Sequence, residues 1–99
     1  MMQRRTSLIV AKDILVVATG GSTITPLVYR CNLNFKLIKT WLTRLIAKGL
    51  LKRVPGSTSN IWATTPKGQR FILAMDAVLS VWDLGAPPED IELGGIINA

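Results

Sequence analysis

Apolar and polar positions fall along this chain in blocks punctuated by glycine, proline and asparagine, and each block has its own period. Residues 7–19 contain neither Gly nor Pro and stop at Gly20-Gly21, where a left-handed backbone is readily adopted, so a first helix is expected there. At about 100° per residue its apolar side chains, Leu8, Ile9, Val10, Ile14, Leu15, Val16 and Val17, run almost all the way round, with Lys12 and Asp13 as the polar sector. Such a helix should be buried on more than one side. A short extended piece is expected around residues 22–24. Thr25-Pro26 then reads as an N-cap hydroxyl followed by proline at the first helical position, where its missing N–H is not needed, which predicts a second helix over 26–31. Asn32-Leu33-Asn34 is the expected turn, and the Asn34 side-chain oxygen can cap a third helix that runs to Lys48 and ends at Gly49.

This third helix, over 34–48, carries the clearest two-sided pattern. Measured from Phe35, the residues Ile38, Leu42, Leu45 and Ile46 lie within about 80° and form the stripe expected to face a core, with Leu37 and Trp41 at its edge. The opposite arc is Lys36, Lys39, Thr40, Thr43, Arg44 and Ala47. Beyond it, two short strand-like runs, 50–54 and 61–64, flank the polar stretch Pro55-Gly-Ser-Thr-Ser-Asn60, which predicts a hairpin with a loose tip. Thr65-Pro66 repeats the cap-plus-proline signal and opens a fourth helix expected to reach about residue 83, before Gly85 and Pro87-Pro88 stop it. The order helix, short strand, helix, helix, hairpin, helix is that of a winged helix-turn-helix domain, mainly α, with a two-stranded wing and an additional C-terminal helix. A chain of 99 residues has room for one core, so a single domain over 1–84, including a C-terminal dimerisation helix at about 66–84, and a flexible acidic tail over 85–99 are expected.

Composition turns that frame toward a polyanion. A hydrophobic share of 48% rules out a disordered chain, and a mean hydropathy of +0.34 is high enough to suggest that some apolar surface meets a partner. Twelve Lys and Arg against six Asp and Glu give a net charge of +6, with an isoelectric point near 10.1. Distribution says more than the total: between Asp13 and Asp76 no acidic residue occurs, while Glu89, Asp90 and Glu92 sit together in the tail. A solvated basic face would explain the charge alone. The turn-plus-wing frame is what would carry that face into a major groove roughly 12 Å wide, where Lys or Arg can donate to guanine and Thr can meet the thymine methyl. Lys36, Lys39, Thr40, Thr43 and Arg44 are therefore the expected groove-facing residues. Thr25, Tyr29 and Arg30 on helix two, Lys52 and Arg53 at the hairpin base, and Ser57, Thr58 and Ser59, with Asn60, at its tip are placed for backbone contacts. With only three cations and two hydroxyls, the helix argues for modest sequence reading.

Catalysis has no support, because the chain has no histidine and no nucleophile–base pair, carboxylate dyad or metal-ligand set can be assembled from its residues. No cofactor, metal or small-molecule ligand is expected. The single cysteine, Cys31, reads as a buried thiol inside helix two. Gly20-Gly21-Ser22-Thr23 lacks the Gly-Lys-Ser/Thr ending of a phosphate-binding loop and follows a helix. Arg4-Arg5 before an apolar run is superficially like a signal peptide, but Lys12-Asp13 interrupts it, so an intracellular, nucleoid-associated cytoplasmic protein with no membrane partner is expected.

The stretches Thr25-Pro-Leu-Val-Tyr29-Arg30-Cys-Asn32-Leu33-Asn34-Phe35, Trp41-Leu42, Leu45-Ile-Ala-Lys48-Gly49-Leu50 and Thr65-Pro-Lys67-Gly68-Gln-Arg-Phe71 together resemble the small archaeal chromatin-associated winged-helix proteins. The resemblance covers residues 24–82. It implies double-stranded DNA binding by a homodimer joined through a C-terminal antiparallel coiled coil, as an architectural chromatin protein or a transcriptional regulator. Cys31, Asn34 and Phe35 stand where the family carries Ala, Ser and Tyr, and the final helix is shorter than the family's long arm. The fourth helix is compatible with pairing: Phe71, Met75, Val78 and Trp82 follow 4-3-4 spacing, with Ile72 and Leu79 on the same face, and these six are the expected dimer interface. Leu73, Ala77, Val81 and Leu84 occupy another sector, so one face can cover the core and another is left for a second chain. The alternative is a protein-interaction winged helix without nucleic-acid contact. An RNA target is disfavoured, since a helix cannot enter the narrow A-form major groove and no aromatic stacking motif is visible.

Overall fold

Helix ends in this molecule are set by short-range hydrogen bonds that the sequence encodes locally, and the elements between them follow in the expected order. The computed structural model describes residues 6–56 and 58–82. Its elements are α1 (Ser7–Val17), α2 (Ile24–Arg30), α3 (Phe35–Ala47), β1 (Leu51–Arg53), β2 (Trp62–Thr64) and α4 (Pro66–Trp82). At α3 the Asn34 side chain accepts from the Leu37 amide at 2.7 Å, as an N-cap should. The same helix closes at Gly49, with φ +76, where Leu50 N donates to Leu45 O at 3.0 Å and Gly49 N to Ile46 O at 2.9 Å. These are the paired bonds of a Schellman ending, and the buried Leu45 and Leu50 supply its apolar contact. Helix α2 ends the same way around Asn32, whose φ of 56 puts a non-glycine residue in the left-handed region, with Leu33 N donating to Val28 O at 2.9 Å.

Helix α2 starts earlier than expected. Its N-cap is Thr23, which makes no side-chain capping bond, so Thr25 is not the cap. Pro26 still lies in the first turn, where amide protons have no intrahelical acceptor, and so costs the helix no bond. The expected extended piece is a single bridge, Ser22 to Trp62, with Ser22 N donating to Trp62 O at 2.8 Å and Trp62 N to Ser22 O at 2.9 Å. Strands β1 and β2 pair antiparallel, Leu51 with Thr64, Lys52 with Ala63 and Arg53 with Trp62.

Thr65 ties the end of α3 to the start of α4. Its hydroxyl donates to Gly49 O at 2.6 Å and accepts from Gly68 N at 3.0 Å, while Lys67 Nζ donates to Lys48 O at 2.8 Å. Gly68 is buried at this junction, and a Cβ there would collide with the Leu50 carbonyl oxygen and the Thr64 methyl. The core gathers Ile14, Leu15, Leu27, Cys31, Ile38, Leu45 and Leu51, each almost fully buried. Helices α1 and α4 lie antiparallel along its side: Gln69 donates to the Thr19 hydroxyl at 3.1 Å near one end, and Lys12 pairs with Asp76 at 3.2 Å further along. Among the described residues no helix is long and apolar enough to cross a membrane.

Candidate nucleic-acid interface

Three α3 residues, Ile38, Leu42 and Leu45, are buried, and they fix which way the helix faces. Phe35 and Ile46 were expected in the same stripe but are 45% and 39% exposed. The buried arc is centred to one side of them, because Trp41, on the other edge, packs against the core and takes their place. Relative to that arc, Lys36, Thr40, Thr43 and Ala47 form the outward centre of the helix, all exposed. Lys39 and Arg44 occupy its two shoulders.

On the wing side, Lys39, Thr43 and Ile46 face the hairpin residues Arg53, Thr58, Ser59, Asn60 and Trp62 and the start of α2 across a cleft of about 720 Å³. Arg53 is held there. Its guanidinium donates to the Asn60 side-chain oxygen and lies 5.9 Å from the centroid of the Trp62 ring, so a cation is pre-positioned at the foot of the wing. On the other side of α3, Arg44 sits 5.6 Å from the Trp41 ring centroid and, with Lys48, edges a small apolar groove floored by Leu8, Leu45 and Phe71. The cations of α3 thus spread across the width of the helix and do not converge on one point.

Thr40 and Thr43 turn their hydroxyls back onto their own helix, donating to Lys36 O at 3.4 Å and Lys39 O at 3.1 Å. Thr25, Tyr29 and Arg30 are exposed on α2, with Tyr29 71% accessible. Lys52 is exposed too, but strand alternation puts it on the opposite face of the hairpin from Arg53. Ser57 lies outside the described residues. The described acids, Asp13 and Asp76, belong to α1 and α4, so α2, α3 and the described part of the hairpin carry no negative side chain. Thr23, Ile24 and Trp62 also line the cleft, and neither periodicity nor charge in the sequence marks them for it. Trp62 could have been found from the hairpin register, since it pairs with Arg53 across the strands.

The six residues expected at a dimer interface separate. Ile72 and Met75, each 9% exposed, are buried within the chain, and Phe71 packs against the same core. Their face is covered because α4 lies along α1, so Ile72 and Met75 are not open to a second chain. Leu79 is half-buried, while Val78 and Trp82 are 58% and 63% exposed. Leu73 and Val81, from the other sector, are 67% and 85% exposed. Leu84 and the tail lie outside the described residues.

The winged helix-turn-helix family profile matches residues 4–81. Among solved structures the chain is similar to Sso10a-2, a DNA-binding protein from Sulfolobus solfataricus, with a TM-score of 0.77 and 17% identity over 96% of this chain and 99% of that one. At that identity the likeness is one of fold. No curated protein matches the sequence.

Proposed function

We propose, starting from the fact that this chain belongs to the winged helix-turn-helix family, that it binds double-stranded DNA by seating α3 in the major groove and acts without catalysis, as a homodimeric architectural protein of the nucleoid. The observation that carries this reading is the acid-free surface of α3 and the wing: Lys36, Thr40 and Thr43 at its centre, Lys39 and Arg44 on the shoulders, and Arg53 held at the wing foot. A helix of 13 residues is about 20 Å long and can lie along a groove roughly 12 Å wide. With α3 so placed, its two shoulders face the two phosphate strands, which suits Lys39 and Arg44. Thr25, Tyr29 and Arg30, exposed on the preceding helix, and Arg53, Thr58 and Ser59 of the hairpin supply the remaining backbone contacts, while Lys52, on the other face of the hairpin, is placed only for a neighbouring stretch of backbone. The description of Sso10a-2 as a DNA-binding protein points the same way.

Homodimerisation rests on α4. Leu73, Val78, Val81 and Trp82 are large apolar side chains left exposed on one helix, and a contiguous patch of that kind usually marks an interface. An architectural role is favoured over a regulatory one because the α3 face offers few base-specific donors.

A salt titration tests the reading. Duplex affinity should fall linearly in log–log form, with a slope of about −0.9 per neutralised phosphate, and replacing Lys36, Lys39 and Arg44 together by Ala should weaken binding and flatten the slope. Unchanged binding by that variant would overturn the assignment of α3. Absence of binding to any duplex at low salt would instead favour a protein-interaction role, for which the exposed apolar residues of α4 are the supporting observation. Competition by duplex RNA separates the RNA reading, and comparison of random with selected DNA sequences separates architecture from regulation.

A further inference from the structure

The outward centre of α3 holds no charged donor between its shoulders other than Lys36 at its start. What lies there is Thr40, Thr43 and Ala47. A threonine hydroxyl normally offers a groove both a donor and acceptors, but here each hydroxyl oxygen is turned back toward the carbonyl one turn earlier, Lys36 O at 3.4 Å for Thr40 and Lys39 O at 3.1 Å for Thr43. A Cβ that turns its oxygen toward that carbonyl turns its Cγ2 methyl away from it. With the Ala47 methyl one turn beyond Thr43, the middle of the helix becomes a strip of methyl groups flanked by cations.

We infer that Thr40 and Thr43 make the centre of α3 a methyl-reading surface, so that the bound duplex is selected for thymine C5-methyl groups in the major groove. The inference rests on the proposed seating of α3 in that groove. Thymine is the base that presents a methyl there, and a hydroxyl turned back onto its own helix leaves these positions poorly matched to the acceptor-only edge of guanine. Lys36, Lys39 and Arg44 then set affinity through phosphate, and the threonines set a preference for adenine–thymine steps.

The test uses the full-length chain and two duplexes of alternating adenine–thymine sequence, one with every thymine replaced by deoxyuridine. The substitution keeps all hydrogen-bonding groups and removes only the methyls. Binding to the deoxyuridine duplex should be weaker by about fourfold for each contacted methyl, or about sixteenfold for one methyl met by each of Thr40 and Thr43. A variant with Thr40→Ser and Thr43→Ser keeps both hydroxyls and loses both methyls; its discrimination between the two duplexes should fall to no more than the share of the Ala47 methyl, about fourfold. Thr40→Val with Thr43→Val keeps the methyls and should retain the discrimination. Both variants should preserve the wild-type salt slope, since the cations are untouched. Equal binding of thymine and deoxyuridine duplexes by the wild-type chain overturns the inference while leaving DNA binding intact, as does discrimination that is undiminished in the serine variant. Failure to bind either duplex overturns it together with the function proposed above.

Discussion

Helices α3 and α4 each bury one face and leave the other open, but they leave open different chemistry. α3 buries Ile38, Leu42 and Leu45 and presents lysine, arginine and threonine at the centre and shoulders of its open face, bordered by the part-exposed Phe35, Leu37 and Ile46. α4 buries Gly68, Ile72 and Met75 and presents Leu73, Val78 and Val81. Burial in one core explains the inward face of both. It does not explain why one outward face is cationic and the other apolar, since water would favour polar residues on each. The open faces suit different partners: a surface of charge for a polyanion, and a surface of hydrocarbon for another apolar surface. The two helices are nonetheless one mechanical unit, because Thr65 and Lys67 at the start of α4 bind the carbonyls of Gly49 and Lys48 at the end of α3.

The sharpest break of this contrast is to erase the charge on α3. Lys36→Ala with Lys39→Ala and Arg44→Ala should lower duplex affinity by about a hundredfold and reduce the salt slope by about three, measured by fluorescence anisotropy across a salt series. The corresponding break on α4 is Leu73→Glu with Val78→Glu. Sedimentation should show loss of the proposed dimer with the helical circular dichroism retained, and a dimer that persisted would move the interface away from this face. Gly68→Ala attacks the joint between the helices. The added methyl has backbone on one side and Thr64 on the other, so a loss of about 1–3 kcal/mol is expected, seen as a melting temperature lower by roughly 4–8 °C per kcal/mol. The smallest effects should come from the wing foot. Arg53→Ala should weaken DNA binding by about threefold to tenfold and lower the salt slope by about one; Trp62→Leu removes only the platform beneath the guanidinium, so affinity should fall less and the slope should stay unchanged.

Thymine discrimination refines the same comparison. If it holds, the open face of α3 is itself divided, with charge on the shoulders for phosphate and methyl groups at the centre for base edges. The apolar face of α4 has no such division.

Local chemistry was legible in the residues. The Asn34 cap, the glycine ending of α3, the turn at Asn32 and the cap at Thr65 all depend on groups within a few positions of one another, so a short window of sequence holds both partners. The acid-free centre was legible for a simpler reason: where no carboxylate is encoded, none can appear on the surface. The start of α2 was not, because Thr23 and Thr25 are both acceptable caps, and the chain entering the helix is pinned by the bridge from Ser22 to Trp62, far along the sequence. The same holds for Arg53, whose partners Asn60 and Trp62 meet it only once the hairpin has closed.

Which apolar residues became core was decided by packing. The wheel of α3 allowed Phe35 and Ile46 inside as readily as Trp41, and contact with the rest of the core drew in Trp41. On α4 two apolar arcs competed, and α1, aligned by Lys12 with Asp76 and by Gln69 with Thr19, covered the arc of Ile72 and Met75 and left Leu73 and Val81 outside. Periodicity states that a helix has an apolar face; only the position of its neighbours states which apolar face water loses.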